Sequence, residues 1–191
     1  MNVISAMSDT ELIHQLLAPP HPTAISETAA MYAATYGIST HDPLVRDKLA
    51  VARELLLRDL IAQMKSSPVL SSPAAVRAWL KLRCANLEHE VFIILHLDTQ
   101  NRLIEAEEIF RGTLTHTSVY PREVVKSVIS RNTSSILIAH NHPSGKTESS
   151  HADRALTANL KSALALVDVR ILDHFIVSGD KVASFAEQGL L

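Results

Sequence analysis

A single cysteine, Cys84, stands among 191 residues. No disulfide can form within the chain, so the fold must rest on packing, and a lone thiol suits a reducing compartment. Glycine is scarce, and Gly37 is the only one before Gly112. Neither sign of charge dominates. A formal net charge of -2 exerts no global pull toward nucleic acid or an acidic membrane surface. No apolar run approaches the roughly 20 residues that span a bilayer. Between Met1 and Pro20 there is no basic stretch, and the apolar positions are interrupted by Ser8, Asp9, Glu11 and His14. That pattern does not read as a signal peptide. Together these absences point to a cytoplasmic protein with no membrane partner.

What is present suffices for a core. The chain is 47% hydrophobic and 20% charged, at a length that suits one domain with an appended segment. Residues 1–65 read as helical. Ser8-Asp9-Thr10-Glu11 starts one helix and Pro19-Pro20 ends it. Ala24 to Tyr36 forms a second, stopped by Gly37. Pro43 to about Lys65 forms a third, with Leu44, Leu49, Leu55, Leu56 and Leu60 as its buried positions. Ser66-Ser67-Pro68 and Ser71-Ser72-Pro73 have the composition of a linker. Pro73 then suits the first position of a helix carrying Val76, Trp79, Leu80 and Leu82, with Trp79 in the core.

From Glu90 the period changes. Val91 to Leu97 is rich in β-formers, Asp98-Thr99-Gln100-Asn101 is a turn, and Leu103 to Phe110 returns as a hairpin. Tyr120-Pro121 opens a helix with Val124, Val125, Val128 and Ile129 on one side. Ile136 to His140 is a strand. Asp153 to Leu166 is a helix with Leu156, Leu160, Ala163 and Leu164 inward. Val169 to Val177 and Lys181 to Phe185 are the last strands. This alternation predicts an α/β or α+β layered domain.

The chemistry concentrates in Ala139-His140-Asn141-His142-Pro143-Ser144-Gly145, with Ser150 and Asp153 following. Residues i and i+2 of a strand share a face, so His140 and His142 project together at the end of the Ser135–Ile138 run. Pro143 and Gly145 break the strand, and Asp153 falls in the first turn of the next helix. Two imidazoles and a carboxylate leave a fourth tetrahedral position open, as a catalytic zinc requires. Ser150-His151-Ala152-Asp153 also fits an ordinary capped helix start. The two readings are compatible, because a capped start fixes the carboxylate in place. A zinc hydrolase further needs a base for its water. Glu90, where a polar loop becomes a buried strand, is the candidate; by itself the position also fits a solvated residue at a strand start. Asn141, Ser144 and Lys146 either line a substrate groove or form a solvated turn. Asp173-His174 is either a pair that supports a ligand histidine or a buried structural pair. His96, His116 and His151 have no spacing that recruits them. His89-Glu90 does not begin an H-E-x-x-H motif, since position 93 is Ile. A lone cysteine excludes the zinc-deaminase signature.

His140-x-His142-Pro143-x6-Ser150-x2-Asp153 resembles the JAMM (JAB/MPN-plus) metalloprotease motif. The surrounding text resembles the bacterial RadC family more closely. The matching stretches include Leu87-Glu88-His89-Glu90-Val91-Phe92, Leu97-Asp98-Thr99-Gln100-Asn101-Arg102-Leu103, Val119-Tyr120-Pro121-Arg122-Glu123-Val124-Val125-Lys126 and Val167-Asp168-Val169-Arg170-Ile171-Leu172-Asp173-His174. They cover about Ser66 to Leu191. The resemblance implies an MPN/JAB-like layered domain over residues 69–191, with a mixed central sheet flanked by helices, after a helical segment at 1–65. It implies one Zn²⁺ on His140, His142 and Asp153, Glu90 as general base and Ser150 beside the oxyanion. It further implies hydrolysis of a peptide or isopeptide bond in a peptide or protein substrate.

RadC-like proteins also carry a DNA-repair label, and longer members have an N-terminal helix-hairpin-helix. That motif needs a glycine-rich hairpin to bring backbone amides against phosphate, which this chain lacks. Residues 1–65 hold Arg46, Lys48, Arg53, Arg58 and Lys65 against Asp9, Glu11, Glu27, Asp42, Asp47, Glu54 and Asp59. The acidic balance leaves no phosphate-binding footprint. A role in repair would then run through protein contacts.

Overall fold

The computed structural model describes residues 3–18, 43–85, 87–112, 119–143 and 145–191. The expected helix from Ala24 to Tyr36, and the positions of Ser144 and His116, lie outside the described residues. The chain divides into two compact units, Met1–Asp59 and Leu60–Leu191. The division falls inside a helix.

In the first unit, α1 spans Val3–Ala6 and α2 spans Asp9–Leu17. Ser8 caps α2 as its sequence suggests. Its hydroxyl accepts from the Glu11 N–H, and the Glu11 carboxylate accepts from the Ser8 N–H at 2.7 Å. At the other end, the Lys48 ammonium reaches the carbonyl of Ala18 at 2.8 Å, where the helix leaves acceptors unpaired. Helix α3 runs Pro43–Ser66. Its buried stripe departs from expectation: Val51 is fully buried, whereas Leu49 and Leu56 are about half exposed. Leu49 sits two residues from Val51, about 200° around the helix, so burying one turns the other to the surface.

The second unit is built on one sheet in the order β2-β1-β3-β4-β5. The strands are β1 Val91–Leu97, β2 Leu103–Arg111, β3 Ser135–Asn141, β4 Arg170–Ser178 and β5 Lys181–Ser184. Only the β3–β4 pair is parallel. A parallel pair needs a crossover, supplied by α6, His151–Ala165. Helix α5, Pro121–Ser130, precedes β3. Strands β1 and β3 are buried along their whole length, as strands covered on both faces should be. One face packs Phe92, Ile94, Ile136 and Ile138 against Val124 and Val128 of α5 and Leu160 and Leu164 of α6. Helix α4, Pro73–Cys84, buries Val76, Trp79 and Leu80 and packs on β4 and β5. The architecture is the mixed α/β layered fold expected.

Two local expectations change. Ile129 is exposed, because α5 buries Val124, Ser127 and Val128 instead. Five residues carry Ile129 about 140° around the helix from Val124. The Ser/Pro stretch that looks like a linker is ordered: α3 continues to Ser66, and Val69–Ser71 forms a 3₁₀ turn. Val69 is buried and its N–H donates to the Asn101 carbonyl at 2.8 Å. Among the described residues, no helix is long and apolar enough to cross a membrane.

His96, which no spacing recruits, proves to be a structural element of this unit. Its ring is fully buried, with Nδ1 2.9 Å from the Thr133 hydroxyl and Nε2 3.2 Å from Glu107. Ser127 donates to the same carboxylate, and Arg131 closes the group at 3.1 Å. Burial pushes the His96 ring below its ordinary pKa against the opposing pull of Glu107. A ring that stays neutral when folded but takes a proton when unfolded destabilises the fold as pH drops. The loss begins as pH falls below about 6.5, the unfolded value, and grows by up to about 1.4 kcal/mol per pH unit. The urea midpoint of metal-free protein is therefore expected to drop between pH 7 and pH 5.5, and His96→Phe should flatten that dependence. An identical slope in the variant would show that His96 takes up its proton in the folded state.

Candidate metal centre

The site forms where β3 ends. His140 is the penultimate residue of β3 and is buried, while His142 follows the strand and is tied to β4 by its N–H to the Val177 carbonyl at 2.8 Å. The chain then turns through Gly145, whose φ of +88° suits a residue without Cβ, and re-enters helix at Ser150. The Ser150 hydroxyl accepts from the Asp153 N–H at 3.1 Å, and the Asp153 Oδ2 accepts from the Ser150 N–H at 2.7 Å. The reciprocal cap fixes one carboxylate oxygen and leaves Oδ1 3.2 Å from His140 Nε2.

His140, His142 and Asp153 come together. The two Nε2 atoms lie 2.9 Å apart, and one ligand atom from each residue falls within 4.8 Å of the others. A tetrahedral zinc with bonds of about 2.0–2.1 Å separates its ligands by roughly 3.3 Å, which the 2.9, 3.2 and 3.8 Å seen here bracket. The chemistry of the donors fits too. His142 Nδ1 is 2.9 Å from the Lys146 carbonyl, which can only accept. Nδ1 therefore donates, and Nε2, turned toward His140, is the ring nitrogen that can serve a metal. Lone pairs and a carboxylate converging this closely call for a cation between them. The cluster can hold a metal ion.

Glu90 is the residue just before β1. Phe92 pairs with His140 in antiparallel register, and their rings stack at 6.5 Å with planes 13° apart. The β1–β3 pairing stops at this pair, and the Val91 N–H beyond it is held by the Asn141 side chain, so no β1–β3 register extends to Glu90. Asn141 is buried, which rules out the solvated turn among its two readings, and it forms part of the wall of the cleft beside His142. Its Oδ1 accepts from the Val91 N–H at 2.7 Å and its Nδ2 donates to the His89 carbonyl at 3.0 Å. The amide thus grips the peptide groups on both sides of Glu90. Lys146 is exposed, and its carbonyl serves His142. His151 is exposed in the first turn of α6. Beside His142 lies a cleft of about 270 Å³ lined by Cys84, Leu87, Pro143 and Val177, among others.

Asp173 and His174 are both buried, but they do not act on one another's side chains. Asp173 accepts from the His174 N–H at 2.7 Å, the Ser184 hydroxyl at 2.6 Å and the Ala186 N–H at 3.0 Å, so it ties β4 to β5 and the turn beyond. The His174 ring instead meets His140 Nδ1 at 2.8 Å and the Thr157 hydroxyl at 2.7 Å. Burial pushes its pKa well below the ordinary value, more than the charge of Asp153 raises it. Sequence reasoning missed Thr157, since a threonine inside an amphipathic helix carries no signal until the β3–β4 pairing brings His174 against it.

A mixed five-stranded sheet flanked by helices, with a two-histidine, one-carboxylate cluster at the end of its central strand, defines a JAB/MPN-like domain. A family model described as a RadC-like JAB domain matches residues 70–190, and the chain belongs to that family. It is 44% identical to a UPF0758 protein of Leptothrix cholodnii, over 98% of this chain and 91% of that one. It is 58% identical to a UPF0758 protein of Aromatoleum aromaticum, over 75% of this chain and 64% of that one. A third, from Methylibium petroleiphilum, is 54% identical over 78% of this chain and 67% of that one.

Proposed function

We propose that this chain is a zinc-dependent hydrolase of amide bonds in peptides or proteins. The observation that carries the reading is the convergence of His140 Nε2, His142 Nε2 and Asp153 Oδ1 on one point. Zinc held there would polarise the scissile carbonyl and lower the pKa of a coordinated water toward neutrality. The chain's own residues supply the rest. Glu90, whose flanking peptide groups are braced by Asn141, takes the proton from the attacking water and passes it to the leaving nitrogen. The Ser150 hydroxyl accepts one bond from Asp153, and its own proton is committed to no described residue. It donates to the carbonyl oxygen as negative charge develops there. The cleft beside His142 receives an apolar side chain next to the scissile bond. Its two polar walls are already engaged, Asn141 with the strand and Ser178 with the His142 carbonyl at 3.1 Å. DNA is not part of the proposal, given the acidic balance of residues 1–65.

Zinc-loaded protein incubated with a panel of peptides and isopeptide-linked peptides is expected to cleave a subset. A chelator should stop cleavage and added zinc should restore it. Cleavage that survives complete metal removal would place the chemistry elsewhere.

A further inference from the structure

The β3–β4 pairing brings together three side chains from three elements: His140 on β3, His174 on β4 and Thr157 on α6. Their protons can be followed without ambiguity. The Thr157 hydroxyl lies 2.7 Å from the Asp153 carbonyl one helical turn back. A carbonyl only accepts, so the single hydroxyl proton is spent on it. Toward His174 Nδ1, 2.7 Å away, Thr157 can then only accept, and His174 must carry its proton on Nδ1. The His174 ring is fully buried between aromatic neighbours, with Phe185 at 4.5 Å and Phe92 at 6.2 Å between ring centroids. No carboxylate contacts the ring among the described residues. With Nδ1 of His174 donating to Thr157, its Nε2 is the nitrogen turned toward His140 and is the acceptor there. His140 Nδ1 faces it at 2.8 Å and must be the donor. The other ring nitrogen of His140, Nε2, is the one aimed at His142 and Asp153.

We infer that Thr157 and His174 form a relay that holds the proton of His140 on Nδ1 and keeps its Nε2 ready for a metal. Both are positioning residues: His174 touches the far side of the His140 ring and Thr157 the Asp153 main chain, and neither is one of the three ligands. A free neutral imidazole favours the opposite tautomer, with the proton on Nε2, which would block coordination by that atom. The relay also links two ligands mechanically. One hydroxyl bonds the main chain of Asp153 and, through His174, the ring of His140, so helix α6 and strand β3 are set to a common geometry. Supporting partners of metal-bound histidines are ordinarily carbonyls, carboxylates or water. A second neutral histidine does the same work in a dry core without burying a charge.

The inference rests on the metal reading above, and the test separates the two. Zinc affinity is measured by chelator competition on the full chain, and the imidazole ¹⁵N shifts of His140 are recorded on metal-free protein. His174→Leu fills the aromatic pocket but removes the acceptor, and Thr157→Val keeps the shape but removes the oxygen. Each is expected to weaken zinc binding about 10–100-fold and to let the Nε2–H tautomer of His140 appear. His174→Gln, which can accept from His140 and donate to Thr157, and Thr157→Ser should recover most of the loss. A merely structural role would predict neither the rescue nor the tautomer change. Unchanged zinc affinity in both disruptive variants, or a His140 proton on Nε2 in the wild type, overturns the relay. If wild-type protein binds no zinc the metal reading falls, and the ¹⁵N shifts still decide the relay. Should His174→Leu fail to fold, Thr157→Val decides.

Discussion

Zinc retention is expected to fall to background in His140→Ala and His142→Ala, and turnover with it. Each change removes one of three protein ligands that face one another at 2.9, 3.2 and 3.8 Å, and two ligands hold zinc poorly against water and chelators. Asp153→Asn is the sharper form of the same test. The amide keeps the shape of the carboxylate and can still accept from the Ser150 N–H, so the start of α6 survives. What it loses is the negative charge facing His140. The metal-free variants should melt close to metal-free wild type, because relieving the crowded lone pairs offsets the lost packing. Wild-type zinc content in either histidine variant would remove that residue from the ligand set.

Glu90→Gln should separate chemistry from metal binding. The two side chains are nearly isosteric, but an amide cannot take a proton from water. Zinc content and thermal stability are expected to match wild type, while turnover falls by about 10²–10⁴, the usual worth of a general base. Asn141 bonds the peptide groups on both sides of Glu90, so its backbone is held beside the end of β3. A loss confined to turnover, with KM little changed, is the signature of a group that acts in the transition state. Loss of zinc would instead make Glu90 a ligand. Full turnover would send the search for the base to Glu88.

Much of the fold is legible in the sequence because local signals and packing agree. The apolar runs of β1 and β3 are long enough to be buried strands, the Asp98–Asn101 turn closes the hairpin, and both capping boxes form where Ser8 and Ser150 announce them. The His-x-His pair is legible because strand geometry alone puts both rings on one face. Asp153 is legible because a capping box fixes it in the first turn of α6. What stays hidden depends on pairing between distant segments. Nothing near Asn141 announces that its amide clamps a segment fifty residues earlier. Asp173 and His174 are adjacent, but alternation along β4 sends their side chains to different partners. The faces of α3 and α5 are misjudged at Leu49, Leu56 and Ile129 for a simpler reason. Leucine and isoleucine occur at more helical positions than one stripe can bury, and only the packed neighbours decide which are covered.

The most direct measurement is a zinc titration of the full wild-type chain after removal of all metal, read by equilibrium dialysis with elemental analysis. About one zinc per chain is expected, with affinity that declines as pH falls because the imidazole ligands must be neutral to bind. A chain that returns from dialysis without zinc at neutral pH would mean that the cluster of His140, His142 and Asp153 is not a metal site.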